Sequence, residues 1–294
     1  MQLGVIGLGR MGQIVVDRTL EAGHDVVAFD LDEAAVATAA DAGATPADSV
    51  VDLAERLGDE KRVWLMVPAG DAVDAALDDL EPHLDGAAVL TIQNGLGNIE
   101  TIREYVAPHS VVGGTTTAGA TLEEPGTVRL SNRGQTRIGR PWSDSKGSVS
   151  DVANTLRAAG YETEVVEAVQ RAIWEKVLVN VGINPVTALG RVRNGALRSG
   201  PGRELMNGAI EEAAAVARGE GYDVDAPVDR ALDVVAATAE NRSSMLRDVE
   251  TGNKTEIEAL NGAIVDRAAA HGLDTPINET LLAAVQLATG DRAE

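Results

Sequence analysis

Residues 1–30, MQLGVIGLGRMGQIVVDRTLEAGHDVVAFD, carry the strongest constraint on the fold. A short apolar strand runs into Gly7, and Gly9 and Gly12 follow in G-x-G-x-x-G spacing. An amphipathic helix then reaches about Ala22, and a second apolar strand ends at Asp30. In that setting each glycine meets a different physical demand. One makes a tight turn, one lets the backbone approach a pyrophosphate closely, and one lets helix pack closely on strand. The first turn of the helix offers free N–H groups and the positive end of the dipole to an anion. The spacing alone is weak evidence, because a glycine-rich turn needs no ligand. Its place between strand and helix, with an acid 18 residues after the last glycine, makes it specific for a dinucleotide. The loop Gly7, Leu8, Gly9, Arg10, Met11 and Gly12, together with Asp30, is therefore the expected cofactor-binding segment.

Strand and helix patterns continue to alternate. RVWLMV (62–67) precedes a helix from about Asp71, and AAVLTI (87–92) precedes one from about Gly97. Such alternation predicts a parallel sheet covered by helices, with the loops 67–70 and 93–98 on the cofactor side. The stretch 111–139, with alternating apolar residues and an EPG turn, predicts a hairpin that finishes the sheet. From about Ser143 the chain is helix-rich, with an internal strand near 162–166, and GSVSD (147–151) reads as the linker before the last helix of the first domain. The expected class is α/β: a Rossmann, doubly wound N-terminal domain over residues 1–168, then an all-helical domain over 169–294.

Composition limits the partners. With 294 residues the chain has room for two cores. Only seven residues are aromatic, so Ala, Val, Leu and Ile must build those cores. A formal charge of −21, from 46 acids and 25 bases, argues against nucleic acid or an anionic membrane as partner. The acids are spread along the chain, and with only four lysines the composition resembles that of salt-adapted proteins. No cysteine is present, and His24, His83, His109 and His271 show no ligand spacing, so no metal site is expected. No apolar run reaches membrane length and no leader pattern opens the chain, so a soluble, cytoplasmic protein is expected.

One lysine stands out. In IWEKVLVNVGINPVTAL (173–189), Lys176 sits in an apolar run, with Asn180 and Asn184 following at four-residue steps. On a helix the three form one gently spiralling stripe. A lysine that snorkels to the surface is the plain account. A cleft-facing proton donor, its pKa lowered by partial burial and flanked by two amides, is the sharper one. A second polar set lies in NRSSMLRDVETGNKTEIEALNG (241–262). Thr255 and Glu258 fit a helix capping box, Ser244 fits an N-cap, and Glu256 fits the acid of a first helical turn.

Two resemblances emerge from these motifs. Residues 1 to about 86, with GLGRMG, AGH-x-V-x-x-FD and MVPAG, resemble the 6-phosphogluconate and β-hydroxyacid dehydrogenase group, whose later catalytic motifs are not found. From about Leu90 to Gly290, Q-N-G-x-G-N, W-E-K-x-x-x-N-x-x-x-N-P-x-T-A and S-S-M-x-x-D-x-x-x-G-x-x-T-E-I resemble the ketopantoate reductase family. That second resemblance implies reduction of a small keto acid by NAD(P)H, with Lys176 as general acid and Glu256 holding it. It further implies that Asn180, Asn184 and Ser244 bind substrate, and that Asn94 and Asn241 help place cofactor or substrate. Pro68 stands where the family usually carries a lysine. The seam between the two likenesses falls near Gly86; a recombined chain and a divergent natural one both account for it. A homodimer is compatible with this reading, and nothing in the sequence specifies it. Asp30, with Asp32 and Glu33 behind it and no base from Leu31 to Val36, favours NADH, whereas family habit favours NADPH.

Overall fold

The computed structural model describes residues 2–58, 61–68, 71–83, 88–124, 127–132, 134–142 and 149–290. The seam near Gly86, the EPG turn at Pro125–Gly126, Ala69 and Gly70 of the loop after the third long strand, and the start of the 147–151 linker lie outside these residues. Contacts divide the chain into two compact units: Met1–Gln93 with Asn98–Ala172, and Asn94–Gly97 with Ile173–Glu294.

Among the described residues of the first unit the strands are β1 (Gln2–Ile6), β2 (Asp25–Phe29), β3 (Thr45–Pro46), β4 (Arg62–Leu65), β5 (Ala88–Thr91), β6 (Val111–Thr116), β7 (Gly119–Glu124), β8 (Thr127–Asn132), β9 (Gln135–Gly139) and β10 (Glu162–Val165). Helices α1 (Arg10–Glu21), α2 (Glu33–Asp41), α3 (Val50–Arg56), α4 (Asp71–Leu80), α5 (Asn98–Tyr105) and α6 (Val149–Ala158) connect them. Eight strands form one sheet in the order β10-β9-β6-β5-β4-β1-β2-β3. It is parallel except where β6 meets β9. Strand order reverses between β1 and β4, the switch point at which ligands bind in such sheets. Val5, Ala28, Trp64 and Leu90 are almost wholly buried, as expected of strands covered on both faces.

The 111–139 stretch departs in part from its expectation. Its outer strands, β6 and β9, join the main sheet, but the hairpin β7–β8 stands apart as a two-stranded sheet. Alternation specifies a strand and not its neighbour. The antiparallel pairing of Gly113–Thr116 with Thr136–Gly139 closes the sheet edge directly, leaving β7 and β8 only each other to pair with. Two helices and a two-residue strand, α2, β3 and α3, fill the region 33–56, where periodicity alone is short.

The second unit carries the helix-rich half. Helix α7 (Val169–Gly190) contains the unit boundary, and α8 (Gly200–Gly219), α9 (Pro227–Ala237), α10 (Ser244–Thr251), α11 (Ala263–His271) and α12 (Pro276–Thr289) follow. One core gathers Trp174, Val177, Leu178 and Val181 of α7 with Ala213, Leu260 and Ile264. A second gathers Ile183 and Val186 with Met206, Ile210 and Val235. Small aliphatic side chains thus supply nearly all of the packing. No described helix is long and apolar enough to cross a membrane.

Candidate active site

The glycine turn is built as its spacing predicts. Gly7 has φ +96°, and a β-carbon there would lie 2.7 Å from the Met66 backbone, so any side chain would push β1 off β4. At Gly12 a β-carbon would lie 2.0 Å from the Gly7 carbonyl oxygen, which no packing change relieves. Gly9 differs: nothing lies within 4 Å of the place a β-carbon would take. That open face lies directly at the N-terminus of α1, which no side chain caps, so the positive end of the helix dipole is accessible to an approaching phosphate. The residues therefore fit a dinucleotide. Arg10 and Met11 follow at the first turn, half-buried.

Asp30 does more than the sequence shows. Its carboxylate accepts the Leu8 N–H at 2.5 Å and the Asp32 N–H at 2.9 Å, so it ties the glycine turn to the end of β2. Asp32 caps α2 by accepting from Ala34 at 2.9 Å. Leu31 between them is 92% exposed. At the neighbouring strand end, Gln93 donates through its amide to the Val67 carbonyl, bracing the loop that carries Pro68.

The second unit assembles the candidate catalytic group. Asn94 belongs to that unit, and its amide donates to both Glu256 carboxylate oxygens, at 3.0 and 3.3 Å. Gly95 makes this possible: with φ +95° its α-carbon abuts Ala259, and a β-carbon would lie 2.4 Å from the Ala259 carbonyl. Leu96 then donates its N–H to that same carbonyl at 2.9 Å. Lys176 is half-buried, and burial pulls its pKa down to about 8, with the Glu256 charge opposing the fall. Glu256 moves the other way: burial raises it, while the Asn94 hydrogen bond and Lys176 restrain the rise. A lysine near 8 loses its proton far more readily than an ordinary one and stays mostly charged at neutral pH. This is the property a general acid needs.

The remaining predicted residues divide. Asn180 is half-buried and Asn184 is 6% exposed, on the stripe of α7 that starts at Lys176. Asn241 and Ser244 are exposed at the approach to α10. The N-cap of α10 is Ser243, not Ser244: its hydroxyl accepts the Leu246 N–H at 3.1 Å, is 6% exposed, and lies 2.7 Å from the Thr187 hydroxyl of α7. Ser244 is thereby released from capping. The capping box at Thr255 and Glu258 does not form either. Ile257 already has helical dihedrals and a wide π turn, Glu258–Gly262, follows. The Thr255 hydroxyl is consequently buried without a hydrogen bond, and Glu258 accepts from Gln286. Wide turns of this kind gather at functional sites. Thr187, Ser243 and Gly95 support the site, and only their places inside the quoted motifs signalled them.

Comparison with known proteins gives the geometry a family. The profile described as "Ketopantoate reductase PanE/ApbA" matches residues 3–142, and its C-terminal counterpart matches residues 168–289. A 2-dehydropantoate 2-reductase of Halobacterium salinarum is 45% identical over 237 residues, 80% of this chain and 78% of that protein. This chain belongs to the ketopantoate reductase family. A PanE/ApbA family ketopantoate reductase from Ralstonia eutropha superposes with a TM-score of 0.86 at 26% identity, covering 99% of both chains. The family likeness thus runs through the first unit as well as the second. Beside it stands a local likeness: 79% identity over 90 residues, 31% of this chain, to an NAD(+)-dependent, decarboxylating 6-phosphogluconate dehydrogenase of Haloferax volcanii, of which it covers 30%. The two resemblances seen in the sequence are both present.

Proposed function

We propose that this chain reduces the keto group of 2-dehydropantoate to give (R)-pantoate, with Lys176 as the general acid. The observation that carries the reading is the grouping of Lys176, Glu256 and Asn94 in one unit, on elements that belong to the family's matched segments. A bound reduced nicotinamide supplies the hydride to the keto carbon. Lys176 gives the proton from Nζ to the carbonyl oxygen as negative charge develops there, and is reprotonated from solvent. Glu256, held by Asn94, keeps an anionic partner beside the ammonium. Asn180, Asn184, Asn241 and Ser244 bind the substrate's polar groups.

The preferred nicotinamide in this reading is NADH. Asp30 directly follows β2, where a carboxylate accepts from the ribose hydroxyls, and a 2′-phosphate would meet Asp30, Asp32 and Glu33 with no base between Leu31 and Val36. The 90-residue likeness to an enzyme named as NAD(+)-dependent points the same way. The deciding assay follows nicotinamide absorbance with 2-dehydropantoate and either NADH or NADPH, against 6-phosphogluconate with NAD+. Turnover of 2-dehydropantoate with NADH ahead of NADPH is expected. Oxidation of 6-phosphogluconate instead would transfer the assignment to the group that the first 86 residues resemble.

A further inference from the structure

Helix α7 contains a proline, Pro185, one residue after Asn184. Proline has no N–H, so the carbonyl four residues back, that of Val181, cannot receive its helical hydrogen bond. Val181 immediately follows Asn180. The defect therefore falls inside the turn that carries the two amides of the candidate substrate stripe. A bare carbonyl at a fully buried position is destabilising, and proline inside a helix commonly kinks it.

The structure closes this defect from another element. Asn261, wholly buried in the π turn Glu258–Gly262, donates its amide to the Val181 carbonyl at 3.2 Å. The same amide donates to the Asn278 side-chain oxygen at 2.9 Å. Asn278, also wholly buried, donates in turn to the Ala209 carbonyl at 3.0 Å and to Glu212 at 2.8 Å. Asn261 is thus held from behind by a chain of hydrogen bonds reaching α8. The turn it occupies starts two residues after Glu256, whose backbone carbonyl accepts the Leu260 N–H at 3.1 Å. One side chain links the segment bearing Glu256 to the turn of α7 between Asn180 and Asn184.

We propose that Asn261 is a positioning residue, replacing the hydrogen bond that Pro185 removes and so holding Lys176, Asn180 and Asn184 in one row beside Glu256. This inference rests on the functional reading of α7 given above. It makes a specific prediction about compensation: Pro185→Ala restores an N–H that reaches the Val181 carbonyl, and the bond from Asn261 to α7 then becomes dispensable for turnover, while its bond to Asn278 is left to packing.

The test is a double-mutant cycle on the full chain with Asn261→Leu and Pro185→Ala, using 2-dehydropantoate and the better of the two nicotinamides. Asn261→Leu alone should lower kcat/KM about ten- to a hundred-fold, the usual consequence of displacing a catalytic array by an ångström or less, with dinucleotide affinity unchanged. Its alkaline limb should move to lower pH, because Lys176 loses part of the Glu256 charge that holds its proton. In the Pro185→Ala background the same substitution should cost less than about three-fold and leave the limb in place. Equal losses in both backgrounds, or an unmoved limb, overturn the proposal. Should Asn261→Leu not fold, Asn261→Ala takes its place in the cycle. Amide hydrogen exchange across residues 181–188 reads the same compensation without turnover: faster exchange in the Asn261 variant, reversed by Pro185→Ala. A parent protein that reduces no keto acid sinks the functional reading, whereas exchange that Pro185→Ala does not reverse sinks the role of Asn261.

Discussion

At Lys176 two influences oppose each other. Burial favours the neutral amine, Glu256 favours the ammonium, and the balance leaves a pKa of about 8 against an ordinary 10.5. A general acid must be protonated, so the rate is expected to be flat below that value and to fall as pH rises through about 8. The pH profile of kcat/KM for the keto acid checks this; a profile flat to pH 10 would remove Lys176 from the role. Lys176→Ala should lower turnover by about 10²- to 10⁴-fold while leaving dinucleotide binding intact. Glu256→Gln separates charge from shape, since the amide keeps the size of the carboxylate. Without the negative charge, burial acts on Lys176 unopposed, and the alkaline limb should shift to lower pH. An unshifted limb would mean that Glu256 serves only to hold Asn94. The stripe of Lys176, Asn180 and Asn184 was legible because helical periodicity needs only one segment. Asn94 was readable as a functional residue, but its bond to Glu256 was not, because the pair is 162 positions apart and nothing local encodes their meeting.

Among the elements, the β1–α1 turn was the most legible, because its glycines answer to local sterics: a turn at Gly7, a clash at Gly12, an open face at Gly9. Segments whose structure depends on a distant partner were less so. Thr255 and Glu258 satisfy a capping rule on paper, yet the π turn that receives Gly95 and Leu96 displaces the helix start. Ser243 and Ser244 are equivalent to a capping rule, and the choice fell to Ser243 because its hydroxyl also meets Thr187. The end of β2 carries a similar lesson for cofactor choice. Asp30 accepts two backbone N–H groups, so Asp30→Ala would loosen the glycine turn and confuse preference with folding. Asp30→Asn removes the charge at nearly unchanged size and keeps an oxygen for one of the two N–H groups, which bond different carboxylate oxygens, so it disturbs the turn less than alanine does. We expect it to raise the NADPH-to-NADH ratio of kcat/KM by about ten-fold, roughly the effect of removing 1.4 kcal/mol of repulsion from one charged contact. If the parent already prefers NADPH, or if the ratio does not move, Asp30 does not discriminate between the two nucleotides.

For the whole molecule, charge is the dominant long-range term. Acids outnumber bases 46 to 25, so many carboxylates have no basic side chain to face, however the pairs are arranged. Among the described residues, ion pairs such as Arg193 with Glu240 and Arg18 with Glu21 lie at the solvent-exposed surface, and exposed pairs contribute at most about 1 kcal/mol each. Net repulsion therefore opposes the compact state, and it is long-ranged in dilute buffer, where the Debye length is about 10 Å at 0.1 M and longer below that. At molar salt the length falls to about 3 Å, shorter than most separations between neighbouring surface carboxylates, and the repulsion is screened. The cores give little in reserve against it, because they are built from alanine, valine, leucine and isoleucine with very few large aromatic side chains. The melting temperature should therefore climb steeply between dilute buffer and molar potassium chloride. A gain of several degrees is the minimum expected, since about 1 kcal/mol moves the midpoint by roughly 2–4 °C in domains of this size. Thermal unfolding in a potassium chloride series, paired with a molar sorbitol series that stabilises by exclusion without screening, distinguishes the cause. A rise in salt that sorbitol does not match supports charge screening; equal rises in both, or a flat salt series, would show that the acidic surface does not limit stability.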